Sequence, residues 1–139
     1  MKIYFCGSVR GGRQLASKYA SLVSILRSYG QVLTEHVGDD QEIRLKDQFL
    51  SDGQIHTRDM EWLRSADVVV AEVTVPSLGV GYEIGRAQDM GKPVLCLFYK
   101  GSRRKLSAII AGSPSLEVQY YHSRDEFPHI LEEYMSGRP

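Results

Sequence analysis

Five short apolar segments alternate with longer segments of helical periodicity, and this alternation restricts the fold more than any other feature of the chain. The apolar segments have the length of strands, whereas the segments between them repeat apolar residues every three or four positions. Strands separated by helices pair in parallel and form a doubly wound sheet, which binds ligands beyond the carboxyl ends of its strands. The sequence therefore predicts a five-stranded, mainly parallel α/β fold, with strands at residues 3–6, 32–33, 68–71, 94–98 and 117–121.

The same periodicity predicts where the helices lie. We expect them at about residues 13–29, 52–65, 76–91, 103–111 and 124–134, with Asp52 capping the second. Residues 36–51 are polar and poorly periodic, and predict a long loop with room for one helical turn. That loop either lies over a site or is a variable surface loop. His36, at its start, is a minor candidate for a ligand contact.

Composition excludes several classes of protein. The chain has 139 residues, which fits one domain over residues 1–139, and its 17 Lys and Arg residues balance 17 Asp and Glu residues. This balance argues against a surface that binds a nucleic-acid polymer, although one small anionic ligand needs no net charge. No apolar run approaches the ~18 residues of a membrane span, and no signal peptide is evident. Cys6 and Cys96 lie in apolar runs, which predicts buried free thiols in the cytoplasm or nucleus. We expect no metal and no cofactor.

Two segments carry the features of anion sites. The first predicted strand is followed by the glycine-rich loop Gly7-Ser8-Val9-Arg10-Gly11-Gly12. Glycines between a strand and a helix let backbone N–H groups approach a phosphate, and Arg10 adds a charged donor. The spacing matches no familiar nucleotide fingerprint, so a plain tight turn remains the alternative. The segment Ser77-Leu78-Gly79 lies at a predicted helix start, where Ser77 offers a hydroxyl and the backbone offers N–H groups without partners in the helix.

Two carboxylates, Glu83 and Asp59, lie on helical stripes that are otherwise apolar. Such a carboxylate faces a cleft, pairs with a cation or has a raised pKa. Ion pairs are one interpretation, Glu83 with Arg86 and Asp59 with Arg58 or Arg86. The other is glycoside chemistry, in which one carboxylate attacks the anomeric carbon while the second handles a proton or a sugar hydroxyl. Tyr4, beside the glycine-rich loop, is either a core residue or part of the site.

Four stretches of the chain, read together, carry a resemblance to a known family. The chain resembles the 2'-deoxynucleoside 5'-phosphate N-hydrolase family, a branch of the nucleoside 2-deoxyribosyltransferase superfamily. The resemblance covers essentially the whole chain, and the block around Glu83 is its most specific part. The four stretches are residues 4–13 (YFCGSVRGGR), 33–37 (LTEHV), 67–74 (DVVVAEVT) and 76–87 (PSLGVGYEIGRA).

The resemblance implies an enzyme that hydrolyses the N-glycosidic bond of 2'-deoxynucleoside 5'-monophosphates. It implies a homodimer with a flavodoxin-like sheet, and Glu83 as the nucleophile that forms a covalent 5-phospho-2-deoxyribosyl intermediate. Asp59 would orient the sugar and assist proton transfer, and Tyr4 would hydrogen-bond near the nucleophile. Ser77 and Gly79 would bind the 5'-phosphate together with Ser107 of the partner subunit. The sugar and phosphate pocket would further be lined by Gly7, Val9 and Arg10.

Three other functions compete with this one. A 2-deoxyribosyltransferase would share the covalent intermediate and pass the sugar to another base, but the phosphate-binding serines favour the hydrolase. A ribonucleotide N-glycosidase differs only in tolerating the 2'-hydroxyl. A nucleotide-binding module without turnover has no use for two carboxylates beside a phosphate. Incubation with deoxynucleotides, with detection of free base, separates the last of these from the enzymes.

Overall fold

The computed structural model describes residues 1–138, which form one five-stranded sheet in which all strands are parallel. The strand order is β2-β1-β3-β4-β5, the order of flavodoxin-like sheets, and the predicted doubly wound fold is confirmed. The strand at Glu117–Tyr121 lies at the sheet edge, as predicted. The strands are β1 Lys2–Cys6, β2 Gln31–Val32, β3 Val68–Glu72, β4 Val94–Tyr99 and β5 Glu117–Tyr121.

Within residues 1–138, six α-helices connect and follow the strands. Four of them lie where apolar periodicity predicts helices, with ends that differ by a few residues. The helix predicted at residues 103–111 is shorter than expected and covers Ala108–Gly112; in the turn before it, the Ser102 hydroxyl accepts from the Arg104 N–H at 3.1 Å. The helices are α1 Ala16–Leu26, α2 Asp40–Asp47, α3 Asp52–Ser65, α4 Leu78–Asp89, α5 Ala108–Gly112 and α6 Phe127–Met135.

Two predictions about the segment before α3 are wrong. Residues 36–51 are not a loop, because they contain a 3-10 turn at Glu35–Gly38 and the two-turn helix α2. The Asp39 side chain starts α2 by accepting from two backbone N–H groups, and no residue of α2 is buried, so no apolar stripe marks it. The cap of α3 is Ser51 rather than Asp52, since its side chain forms a capping box with Gln54.

The sheet is covered on both faces, and the two faces have separate cores. Helices α1 and α6 cover one face, and α3 and α4 cover the other. Because side chains alternate along a strand, Tyr4 and Cys6 of β1 both point toward α3 and α4. Both cysteines, Cys6 and Cys96, are buried and free, as predicted. None of the helices within residues 1–138 is long and apolar enough to cross a membrane.

The chain reverses its winding direction between β1 and β3, and this reversal creates a crevice. From β1 the chain runs outward to β2 and then crosses back to β3, which pairs with the other edge of β1. The segments that follow the neighbouring strands β1 and β3 therefore lead away from each other, in opposite directions along the sheet. Ligands of doubly wound proteins bind at such a switch point, beyond the carboxyl ends of the strands.

Candidate active site

A cavity of about 590 Å³ opens at this switch point. Its walls come from the loops after β1 and β3, from α3 and α4, and from the turn that follows β2. Eight of the nine residues predicted for the site line this cavity, and Ser107 does not. The eight are Tyr4, Gly7, Val9, Arg10, Asp59, Ser77, Gly79 and Glu83.

Glu83 of α4 and Tyr4 of β1 meet at the floor of the cavity. The Tyr4 side chain is completely buried, and its hydroxyl donates a short hydrogen bond to Oε2 of Glu83. The alternative ion pair of Glu83 with Arg86 is not formed, since Arg86 lies over the ring of Tyr82 at 5.9 Å. Glu83 therefore faces the cavity beside two neutral donors, the Tyr4 hydroxyl and the Cys6 thiol.

Burial sets the protonation of this pair. It raises the pKa of Glu83 to about 7, although the hydrogen bond from Tyr4 favours the carboxylate. Burial, together with the charge of Glu83, raises the pKa of Tyr4 far above its usual value. Tyr4 therefore stays protonated and remains a donor throughout the physiological range. Glu83 is therefore ionised in part of its population near neutral pH.

The N-terminus of α4 forms one rim of the cavity. Ser77 caps the helix in an extended conformation, and its hydroxyl accepts from the Val80 N–H at 3.2 Å. The first N–H groups of a helix have no partner within the helix, and the helix dipole adds positive potential there. Gly79, one residue inside the helix, is exposed and leaves these amides accessible. This rim has the chemistry of a phosphate site.

The glycine-rich loop approaches this rim closely. A Cβ atom on Gly11 would lie 2.8 Å from the carbonyl oxygen of Pro76, so a side chain at that position would push the two loops apart. Arg13 stabilises the loop, because its guanidinium donates to the Ser8 carbonyl at 3.0 Å. Arg10 extends into solvent and pairs with Asp52 at 3.1 Å. An anion at the α4 rim would therefore meet an exposed cation.

The opposite end of the cavity is built from α3 and the turn after β2. Asp59 accepts from Arg58 at 3.0 Å, which is one of the two ion pairs that the sequence allowed. Burial raises the pKa of Asp59, whereas Arg58 opposes that rise. His36 packs against Trp62 with ring centroids 5.7 Å apart, and burial followed by the charge of Arg58 lowers its pKa to about 4. His36 is therefore a neutral wall residue.

A second buried carboxylate, Glu72, holds the loop after β3 from the other face of the sheet. It accepts from the Thr74 N–H at 2.6 Å, from the Thr74 hydroxyl at 3.0 Å and from the Tyr121 hydroxyl. The Thr74 hydroxyl in turn accepts from the Tyr99 N–H at 2.8 Å. These bonds fix the start of the segment that leads to Ser77 and the α4 rim.

Sequence reasoning missed several residues of the cavity wall. The prediction for Cys6 is only a buried thiol, although Cys6 shares a strand face with Tyr4 and lines the cavity beside Glu83. The two-residue period of a strand was the available signal. Asp47 also lines the cavity, but it belongs to the helix that the sequence did not reveal.

Comparisons with known proteins agree with this architecture. The profile of the family described as nucleoside 2-deoxyribosyltransferase matches residues 3–118. The chain is 60% identical over 138 residues to a 5-hydroxymethyl-dUMP N-hydrolase of Mus musculus, covering 97% of this chain and 80% of that one. It is 56% identical over 141 residues to a putative 2'-deoxynucleoside 5'-phosphate N-hydrolase 1 of Nematostella vectensis, covering 98% and 95%. Its fold is similar to that of a CMP N-glycosidase of Clostridium botulinum, with a TM-score of 0.71 at 20% identity over 96% of this chain and 99% of that one.

Proposed function

The chain belongs to the nucleoside 2-deoxyribosyltransferase family, and from that premise we propose that it hydrolyses the N-glycosidic bond of 2'-deoxynucleoside 5'-monophosphates. The products are free nucleobase and 2-deoxyribose 5-phosphate. One observation carries the proposal: Glu83, held by Tyr4, faces a cavity whose rim is a helix N-terminus with the chemistry of a phosphate site. The relatives of high identity that are named as N-hydrolases of deoxynucleotides support the same reaction.

Glu83 acts as the nucleophile in this proposal. Its carboxylate attacks the anomeric carbon as the carbon–nitrogen bond breaks and the bonding pair leaves with the base, which solvent protonates. Water then attacks the same carbon, and the bond to the carboxylate breaks to release the sugar phosphate. Tyr4 holds one oxygen of Glu83, so the other oxygen is free to attack. Asp59 accepts a hydrogen bond from a sugar hydroxyl in the first step and takes the proton of the attacking water in the second.

The 5'-phosphate binds at the α4 rim. Ser77, Gly79 and the first amides of α4 receive it, and Arg10 of the glycine-rich loop adds a charge from solvent. Gly7 and Val9 line the space between the rim and Glu83. In this proposal, the phosphate and the reacting carbon lie at the two ends of the segment between Ser77 and Glu83.

A substrate panel tests the proposed reaction. Deoxynucleoside monophosphates should release free base, whereas matched ribonucleotides should react at least tenfold more slowly. The added 2'-hydroxyl withdraws electrons from the oxocarbenium-like transition state and must fit beside Glu83. Chromatography of the products with and without an added second base measures both hydrolysis and transfer.

Each alternative function has its own outcome in this panel. Comparable rates on ribo- and deoxyribonucleotides would assign a ribonucleotide N-glycosidase instead. Transfer of the sugar to the added base, in preference to water, would assign a transferase. Binding of deoxynucleotides without any base release would leave a nucleotide-binding module.

The proposal includes a homodimer in which Ser107 completes the phosphate site of the partner. Ser107 is exposed at the start of α5 and lies outside the cavity of its own chain. Large apolar side chains are exposed on α4 and α5, where Leu78 is 97% and Ile109 83% accessible. These two exposed apolar side chains are the ones we assign to the interface between the subunits.

Mixing two impaired variants tests this arrangement. Glu83→Ala lacks the nucleophile, and Ser107→Ala weakens the phosphate site of the other subunit. In a mixed dimer, one site collects both defects while the other has both native residues. Random pairing makes about half the dimers mixed, so exchange of subunits should restore roughly a quarter of wild-type activity.

The matched control replaces Ser107→Ala by Ser77→Ala. Ser77 and Glu83 serve the same site within one chain, so mixing Glu83→Ala with Ser77→Ala should give no gain. A monomer in solution, or no gain with Ser107→Ala despite measured subunit exchange, would refute the shared site and leave the role of Glu83 intact.

The proposed compartment is the cytoplasm or the nucleus. Both cysteines are free thiols, and Cys6 lies in the wall of the cavity, beside the carboxylate that would carry the reaction. A reducing compartment keeps such thiols unmodified.

A further inference from the structure

Arg58 connects two acidic residues from different helices. Its Nε and Nη2 atoms both lie 3.0 Å from Oδ1 of Asp59, and its Nη1 atom lies 2.7 Å from Oδ1 of Asp47 at the end of α2. Adjacent residues on a helix normally point in different directions, so the guanidinium must fold back to reach Asp59. Nε donates a hydrogen bond to this oxygen and Nη2 makes an ion-pair contact with it, so both contacts use the same oxygen. Within residues 1–138, Oδ2 of Asp59 has no hydrogen bond and is available to a substrate.

The cluster is partly shielded from water. The side chain of Arg58 is 18% exposed, and those of Asp47 and Asp59 are each 23% exposed. The guanidinium also lies over the ring of Trp62 at 4.8 Å, and Nη2 is 3.5 Å from Nε2 of His36. Charges in such a site interact more strongly than exposed pairs, because less solvent screens them.

The position of α2 depends on this cluster. No residue of α2 is buried, so apolar packing contributes little to its attachment. Instead, its first residue, Asp40, pairs with Arg13 at 2.7 Å, and its last residue, Asp47, pairs with Arg58 at 2.7 Å. The two ends of the helix are thus held by ion pairs, one of which is shared with Asp59.

We propose that Arg58 is a positioning residue that fixes one oxygen of Asp59 and leaves the other for the substrate, and that Asp47 controls how fully Arg58 engages Asp59. The inference rests on the proposed function, since it assigns Asp59 a role in the reaction. Arg58 touches no reacting atom. It acts by holding Asp59 as an oriented carboxylate, and Asp47 competes for the same guanidinium.

Arg58 and Asp47 have opposite effects on the ionisation of Asp59. Burial raises the pKa of Asp59, Arg58 lowers it and the charge of Asp47 raises it. Removal of Arg58 should therefore raise the pKa of Asp59 further, so that its carboxylate is lost at a higher pH as the solution is acidified. Removal of the Asp47 charge should have the opposite effect. The titratable or charged groups that face Asp59 directly or through Arg58 are Arg58, Asp47, His56, Glu83, Tyr4, Cys6 and His36.

The pH dependence of kcat/KM for base release measures this effect. The acidic limb of the wild-type profile should reflect the coupled ionisation of Glu83 and Asp59, close to pH 7. Arg58→Gln should move this limb to higher pH by about one unit and thereby lower kcat/KM at pH 7 about fivefold. Asp47→Asn should move the limb to lower pH by about half a unit. A general loosening of the site does not shift the acidic limb in opposite directions in the two variants, so opposite shifts identify the effect of charge.

Matched variants separate charge from structure. Asp40→Asn releases the other end of α2 without touching Arg58, and Arg64→Gln removes an exposed arginine from the same helix, α3. Both should leave the acidic limb in place.

Shifts of the acidic limb in the same direction for Arg58→Gln and Asp47→Asn, or no shift, in an active protein would overturn the inference. If Arg58→Gln does not fold, the direction of the Asp47→Asn shift decides it alone. Failure of the proposed function is distinguishable, because the wild-type protein would then release no base at any pH.

Discussion

Replacement of Glu83 by glutamine should abolish base release and leave the fold intact. The amide retains the size of the side chain and an oxygen that accepts from Tyr4, so the floor of the cavity keeps its shape. The amide is not a nucleophile, however, and the covalent route is closed. Loss of a single nucleophile typically lowers kcat by several orders of magnitude, and we expect a loss of at least about a thousandfold. Initial rates of base release from a deoxynucleoside monophosphate measure it.

Two controls accompany this variant. Asp89→Asn removes an exposed carboxylate from the same helix, α4, and should retain full activity. Intact-mass measurement during turnover should detect a 5-phospho-2-deoxyribosyl adduct on the wild-type protein and none on Glu83→Gln. Turnover near the wild-type rate by a folded Glu83→Gln protein would rule out Glu83 as the nucleophile.

Removal of the 5'-phosphate from the substrate should lower kcat/KM by about a hundredfold or more. In the proposed site, the phosphate binds far from the bond that breaks, and its binding energy would hold the anomeric carbon against Glu83 in a reactive orientation. Ser77→Ala should therefore reduce kcat/KM on deoxynucleoside monophosphates about tenfold. The same variant should have little effect on unphosphorylated deoxynucleosides, because they make no contact at the α4 rim. The ratio of the two kcat/KM values is the measured quantity.

Ser77 also caps α4, so the loss of the cap needs its own control. Removal of a serine cap costs about 1 kcal/mol of stability. Ser51 caps α3 in the same way, and Ser51→Ala should lower the unfolding temperature without changing the preference for the phosphate. Equal kcat/KM on deoxynucleosides and their monophosphates in the wild-type protein would contradict the phosphate site and favour the transferase.

Much of the fold could be predicted because apolar periodicity reports burial. Strands buried on both faces read as continuous apolar runs, and β3 and β4 are of this kind. Glu83 could be found for the same reason, since a carboxylate interrupts an apolar helical stripe. Helix α2 could not be found, because it buries no residue and begins at a side-chain cap. Its start depends on hydrogen bonds of Asp39 rather than on packing.

The contacts of the site are harder to predict than its residues. Tyr4 and Glu83 are 79 positions apart, and only the pairing of β1 with β3 and the packing of α4 bring them together. Asp59 and Arg58 are adjacent in the sequence. The sequence nevertheless predicts Arg86 equally well as the ion-pair partner of Asp59, because helical spacing does not show how far a guanidinium bends. Whether Ser107 serves a second chain stays a prediction.

The weak attachment of α2 has a consequence for how the enzyme can change over time. The proposed reaction uses residues of β1 and α4, which are bound into the core, whereas residues 40–47 contain no buried residue and are held at their two ends. Substitutions between those ends cost little stability, because no core contact is lost. Residues 41–46 do not line the cavity, whereas Asp47 does. Relatives can therefore differ along most of α2 without a change in the pocket, whereas a substitution of Asp47 alters both the cavity wall and the ion pair with Arg58.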